Sequence, residues 1–211
     1  MDLKNFAKAL LMAQGMREDI AEKKSNKVLE IYETLEYKKS NLEAGQEEDG
    51  VLSGVVTIYC DGACRGNPGE AGSGVLVISD DVEAHYCGAY EEKGTNNTAE
   101  LKAMIFALEK AQEAAAVKIY VDSQYVINAV TGWAYGWKKN DWKKKDGKPV
   151  KNVDLVKKAH ELFVNLKSKR GIPVEVIYVK GHSGDKGNDL TDALANRAID
   201  EKIVDFQKIE G

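Results

Sequence analysis

Proline is scarce in this 211-residue chain, with three, and so is cysteine, also with three. Few prolines leave regular structure uninterrupted, and 43% hydrophobic content is enough for a core. Cys60, Cys64 and Cys87 are odd in number and lack the paired spacing of a zinc site, which excludes a disulfide framework and points to reduced thiols acting as small buried fillers. No run approaches the ~18 apolar residues of a membrane span. Met1-Asp2-Leu3-Lys4-Asn5 does not resemble a signal peptide, so a cytoplasmic protein without a membrane partner is expected, and the sequon Asn96-Asn97-Thr98 is expected to carry no sugar. An overall positive charge is missing too: the formal net charge is −4. Any polyanionic partner therefore has to dock on a concentrated basic patch.

Periodicity supplies the elements. Residues 55–61, 72–79 and 83–90 read as three strands joined by short glycine-containing turns, an antiparallel meander. A helix over 98–114, a strand over 117–122 and a short helix over 123–131 follow. Beyond a lysine-rich segment come a helix over 153–169, a strand over 173–179 and a helix over 189–201. The β-α alternation of the second half calls for parallel pairing, so the expected class is α/β: a five-stranded mixed sheet with helices on both faces. Gly69-Glu70-Ala71-Gly72-Ser73-Gly74 precedes a strand and does not open a helix, so it reads as turn chemistry and not as a nucleotide loop. The length suits one domain of about 150 residues plus an extension. The boundaries read as a helical extension over 1–40, a flexible linker over 41–54, the main domain over 55–201 and a tail over 202–211.

Four carboxylates stand out against this frame. Asp61 closes the β-branched and aromatic run Val55 to Cys60, and Asp122 closes Val117 to Val121. Glu100 lies on the helix that starts near Thr98, and Asp192 opens the last helix. A fold that joins strand ends to helix faces brings all four together. Four anions in one place repel, and they persist with cations between them, so the set reads as a cage for a hard, oxygen-seeking ion, Mg²⁺ or Mn²⁺. Any one of these acids alone is as well explained by a helix cap or a solvated charge.

The flanking residues decide between those readings. Tyr59-Cys60-Asp61-Gly62-Ala63-Cys64-Arg65-Gly66-Asn67-Pro68-Gly69, Thr95-Asn96-Asn97-Thr98-Ala99-Glu100-Leu101, Asp122-Ser123-Gln124-Tyr125-Val126, Val179-Lys180-Gly181-His182-Ser183-Gly184 and Asn188-Asp189-Leu190-Thr191-Asp192-Ala193-Leu194-Ala195 occur in that order. Together they resemble the type 1 ribonuclease H family, over about Val55 to Ala198. The resemblance implies the ribonuclease H-like fold and endonucleolytic hydrolysis of the RNA strand of RNA–DNA hybrids, with replication and repair as its setting. It implies two Mg²⁺ ions, with Mn²⁺ as a substitute, held by Asp61, Glu100, Asp122 and Asp192. Asp61 would bridge both ions, Asp192 would hold the one nearer the nucleophile, and the products would carry a 5′-phosphate and a 3′-hydroxyl. His182, between glycines on a loop expected to be flexible, is implied to shuttle protons and assist product release. His85 and His160 read as residues without chemistry.

Hybrid specificity requires telling 2′-hydroxyls from their absence. Asn67, Asn96, Asn97 and Gln124 carry amides that both donate and accept, and they match family positions near the minor groove. Thr95 matches a position near a DNA phosphate, and it also reads as a helix cap. Thr131 to Asn152 holds every tryptophan of the chain, Trp133, Trp137 and Trp142, among seven lysines that include Lys138, Lys139 and Lys143, for a local charge of +5. The segment resembles the basic handle that some family members carry, suited to sugar packing and phosphate contact. Its alternative is a solvated lysine loop with tryptophans in a satellite core.

The first fifty residues fall outside the resemblance. Leu3, Phe6, Leu10 and Ala13, then Val28, Ile31 and Leu35, recur at helical spacing, with breaks at Gly15 and Ser25-Asn26. The local charge of −3 disfavours nucleic-acid contact. Packing on the main domain, self-association and binding of a protein partner all stay open, and an interaction or dimerisation element is favoured. Two other functional classes compete for the whole chain: a non-catalytic hybrid-binding protein on the same fold, and a DNA-directed nuclease or transferase of the wider superfamily. The complete acid set with His182 weighs against the first, and the amides with the Trp/Lys handle weigh against the second. A detached reverse-transcriptase domain is a narrower variant, disfavoured by the helical leader.

Overall fold

The computed structural model describes residues 3–13, 15–22, 24–25, 54–80, 82–181 and 183–209. The chain divides into two compact units, Met1–Val51 and Leu52–Gly211. In the first, α1 (Leu3–Ala13) ends before Gly15, whose φ of +82° is one that L side chains rarely adopt. The helix around Val28, Ile31 and Leu35 and most of the linker expected over 41–54 lie outside the described residues.

In the second unit, β1 (Val55–Arg65), β2 (Gly69–Ser79) and β3 (Val82–Gly94) form the expected meander, each strand longer than its hydrophobic pattern suggested. The elements that follow are α2 (Asn96–Lys110), β4 (Ala116–Val121), α3 (Gln124–Asn128), α4 (Ala134–Lys139), α5 (Val153–Val164), β5 (Val174–Tyr178), α6 (Lys186–Asp200) and β6 (Gln207–Ile209). The sheet order is β5-β4-β1-β2-β3-β6, with β4 parallel to both β1 and β5 and the other pairs antiparallel. It has six strands where five were expected. The sixth comes from the segment read as a tail, and pairs through His85↔Ile209 and Cys87↔Gln207. Three residues give too short a pattern to read as a strand without the partner beside them.

A second correction concerns Gly69 to Gly74, which is the first half of β2 and not a turn. Those glycines make room for a helix. A Cβ at Gly74 would sit 2.7 Å from the Ala195 nitrogen, and one at Gly72 would sit 2.7 Å from the Ala195 carbonyl oxygen, so α6 lies directly on the sheet there. On the other side of β1, a Cβ at Gly62 would lie 2.8 Å from the Ala99 Cβ and would also collide with the Glu100 backbone nitrogen. The core under α2 and α5 includes Ile58, Leu101, Met104, Leu108, Ile119 and Phe163. Helix packing onto glycine notches is therefore what brings Glu100 and Asp192 up to the strand that carries Asp61.

Two expected helices depart from regular α geometry at their C-terminal ends. The one beginning at α3 widens to a π-helical turn over Ala129–Trp133 before α4, and α5 does the same over Asn165–Lys169. Insertions of this kind shift the facing of every later side chain.

Candidate active site

Asp61, Glu100, Asp122 and Asp192 line one cleft of about 300 Å³, together with Cys64, Arg65, Asn96 and Asn196. The sequence placed two of these acids slightly wrong. Asp61 does not end its strand: β1 runs on to Arg65, held by its antiparallel register with β2, so the carboxylate projects from within a paired strand. Asp192 does not open α6, which starts six residues earlier behind an Asp185 cap whose carboxylate accepts from the Asn188 backbone N–H at 3.1 Å. That cap overrides the poor helix formers Gly187 and Asn188, and it moves Asp192 into the helix, on the side facing β1 and β2. Asp122 follows β4 directly.

Asp61 and Glu100 are 7% and 8% exposed. Burial, then the negative charge of Asp122, push the Asp61 carboxyl up to about 8, against the opposing hydrogen bond from the Gly62 N–H. Glu100 rises to about 7, chiefly through burial, opposed by a hydrogen bond from Ser123. Both carboxylates are thus costly to ionise without a cation, which is the electrostatic signature expected of a metal-binding set. Their geometry is open nonetheless. Among the described residues, no three His, Cys, Asp or Glu side chains are drawn close enough to form a ready-made cage. The donor set fits a hard divalent ion: all four groups are carboxylates facing one space, and those on Glu100 and Asp192 are fixed by neutral donors.

Those donors went unnoticed in the sequence. Ser123 caps α3 and donates its hydroxyl to Glu100 Oε2 at 2.5 Å, while Asn96 Nδ2 donates to Oε1 at 2.6 Å. Asn196 Nδ2 donates to Asp192 Oδ1 at 3.2 Å. Asn196 is one helical turn beyond Asp192, and that spacing was the available signal. Ser123 falls inside a quoted motif, but nothing local says its hydroxyl turns toward a helix 23 positions earlier.

The remaining expected residues are spread around the cleft. Thr95 is the N-cap of α2 in a reciprocal capping box with Thr98, so its hydroxyl has a structural task. Asn96 and Asn97 are the first two residues of that helix, Asn67 accepts from the Asn96 backbone N–H at 3.4 Å, and Gln124 is exposed at the start of α3. His182 lies outside the described residues. The loop before it runs beside the cleft: a Cβ at Gly181 would sit 2.7 Å from Asp122 Oδ2. Cys60 and Cys87 are buried as expected of fillers, whereas Cys64 is half-buried at the cleft and its thiol donates to the Gly66 carbonyl oxygen at 2.9 Å. His160 is buried with its ring nitrogen 2.8 Å from the Val130 carbonyl oxygen.

The handle is two things at once. Trp133 is 47% exposed, beside Tyr125 and Trp137 at ring separations of 6.2 and 5.6 Å. Trp142 instead packs on the core and on His160, with the Lys157 ammonium 5.3 Å from its ring centre. Its φ of +57° is rare for a bulky residue, and the chain holds it through Trp142 N–H to the Trp137 carbonyl and Val150 N–H to the Trp142 carbonyl. Lys138, Lys139 and Lys143 are exposed.

Residues 53–200 match the family described as RNase H. The chain belongs to the RNase H family. It is 45% identical over 148 residues to the ribonuclease H of Paracidovorax citrulli, spanning 70% of this chain and 96% of that one. With the ribonuclease H of Verminephrobacter eiseniae it shares 47% over 149 residues, 70% and 92% of the two chains. Among solved structures, LC9-RNase H1, a type 1 RNase H with the type 2 active-site motif, superposes with a TM-score of 0.63 at 27% identity, covering 74% of this chain and 77% of that one. RNase H1 from the halophilic archaeon Halobacterium salinarum gives 0.50 at 30%, covering 70% and 98%. The first fifty residues of this RNase H family chain lie outside the stretch that matches the family.

Proposed function

We propose that this chain is a ribonuclease that cuts the RNA strand of RNA–DNA hybrids by metal-assisted hydrolysis, leaving a 5′-phosphate and a 3′-hydroxyl. The observation that carries the proposal is the convergence of four carboxylates, from β1, α2, the end of β4 and α6, on one cleft. Asp61, Glu100, Asp122 and Asp192 would hold two Mg²⁺ ions, with Mn²⁺ as a substitute. Bound there, the ions supply an activated water and positive charge at the leaving 3′-oxygen.

The side chains do the positioning. Ser123 and Asn96 grip both oxygens of Glu100, so the carboxylate meets a ligand in a fixed orientation. With one Asn96 N–H donated to Glu100, its carbonyl oxygen would accept from a 2′-hydroxyl. Asn67, Asn97 and Gln124 supply further amides for the minor groove, and Thr95 a hydroxyl for a DNA phosphate. His182 carries protons away from the cleft and aids product release. The handle binds backbone and sugars through Trp133, Trp137, Lys138, Lys139 and Lys143, and Trp142 buttresses it. For the N-terminal unit we propose an interaction or dimerisation role, supported by the exposure of Phe6 and Leu10 on α1.

The test is cleavage of a labelled RNA strand in a hybrid, beside matched RNA–RNA and DNA–DNA duplexes, with Mg²⁺, with EDTA, and with Asp61→Asn. Metal-dependent cutting of the hybrid alone, lost in the variant, supports the proposal. Tight hybrid binding with no cutting would leave a binding protein instead.

A further inference from the structure

We infer that Arg65 is a further substrate-binding residue, whose guanidinium takes a phosphate of the RNA strand at the mouth of the cleft while Asp200 stores it there in the substrate-free protein. This rests on the hybrid-cleaving reading of the cleft and adds a contact that the family resemblance did not assign.

Side chains alternate along β1, so Asp61, Ala63 and Arg65 share one face, with Asp61 buried and Arg65 exposed at the strand's end. Four residues of strand span about 13 Å. Arg65 thus stands away from the reacting phosphate and near its neighbours along the same strand. Among the described residues lining the cleft, Arg65 is the one cation, against four carboxylates. The four carboxylates repel a polyanion entering this space, so a single guanidinium there counts for more than a lysine on an open surface.

The guanidinium is held in readiness. Its Nη1 donates to Asp200 Oδ1 at 2.7 Å, at the end of α6, the helix that carries Asp192. Glu70, its partner across β1 and β2, accepts from the Tyr90 hydroxyl at 2.8 Å. The Arg65–Asp200 pair is exposed on both sides, and an exposed pair is readily exchanged for a better one. A phosphate offers a two-point fit to the planar fork that the single bond to Asp200 leaves unused. The competing explanation is a structural tie between β1 and α6, and the two differ in sign at Asp200.

The experiment uses the full chain, with hybrid affinity measured by anisotropy in the Asp61→Asn background and kinetics measured in the wild-type background, both across a salt series. Arg65→Ala is expected to weaken binding and raise KM several-fold. It should also make the slope of log affinity against log salt shallower by about 1, the signature of one lost phosphate contact. Arg65→Lys should keep the slope and lose part of the affinity. Asp200→Asn, which frees the fork, should tighten binding two- to three-fold. Thermal melts confirm that each variant folds. An unchanged slope in Arg65→Ala, or Asp200→Asn weakening binding as Arg65→Ala does, overturns the contact and leaves the structural tie. Wild-type protein that neither binds nor cuts a hybrid removes the function and this inference together, whereas normal wild-type cutting beside an unchanged Arg65→Ala slope removes the inference alone.

Discussion

The cleft and the handle carry opposite charge and are built in opposite ways. The cleft gathers four carboxylates from four separated elements, two of them more than nine-tenths buried, and depends on helices seated in glycine notches. The handle is one continuous stretch of chain, mostly exposed, with a charge of +5 written in its local sequence. Chemistry that needs several groups at one point demands long-range assembly and tolerates little error. Attraction to a polyanion needs only density of charge, and tolerates a good deal.

The sharpest separation comes from removing chemistry without removing attraction. Asp61→Asn should lower the rate of hybrid cleavage by at least about a thousand-fold, or ~4 kcal/mol of transition-state stabilisation, because the most central of the acids is lost. Hybrid affinity through the handle should survive. Single-turnover cleavage beside anisotropy reads both, and a variant that cuts within ten-fold of the parent would show that the cleft is not the reaction site.

Next in size is a pair of glycine substitutions. Gly62→Ala puts a methyl group against the Ala99 Cβ and the Glu100 backbone, and a fixed helix cannot yield, so unfolding in urea should come about 2–3 kcal/mol earlier with activity falling alongside. Gly136→Ala on α4 meets nothing within 4 Å and should be neutral or stabilise by about 0.5–1 kcal/mol. Equal costs at both positions would erase the contrast between a cleft built by tertiary packing and a handle built locally.

The folded chain keeps protons on Asp61 and Glu100 that the unfolded chain releases near pH 4, since their folded values are raised to about 8 and about 7. Between those limits the native state binds more protons, so metal-free stability should fall as pH rises from about 4 to about 8. The loss should be several kcal/mol, Mg²⁺ should restore it, and Asp61→Asn should melt higher than the parent without metal at pH 8. Melting temperatures against pH, with and without Mg²⁺, decide it. A flat metal-free profile would mean that the carboxylates are not strained together at all.

The same contrast governs how much could be read without coordinates. The meander, the β-α alternation and the four acids were legible because strand and helix periods and motif blocks are local signals. The seating of α6 on Gly72 and Gly74 was not, since a stretch with three glycines in six residues looks like a turn unless the helix that presses on it is known. Ser123 and Asn196 were missed for a related reason: a hydroxyl or amide that orients a carboxylate has no pattern of its own. The sixth strand depends on an edge already present in β3. The handle's charge was plain, while its division between exposed Trp133 and packed Trp142 required the position of His160.

The smallest effect probes the handle. Replacing Lys138, Lys139 and Lys143 together by Ala should raise KM about ten-fold at low salt and flatten the salt dependence by up to about 3, because each exposed ammonium contributes at most one phosphate contact. The rate at saturating hybrid and the Mg²⁺ requirement should stay near those of the parent, since these side chains lie outside the carboxylate set. Each single lysine variant should show roughly a third of the slope change, because exposed charges on a flexible stem act nearly independently. Steady-state kinetics across a salt series measures all of this at once. If the triple variant instead loses rate at saturation, or demands more Mg²⁺, the handle does more than gather substrate: it helps set the position of the hybrid over Asp61, and the division between assembly and attraction is not as clean as the two regions suggest.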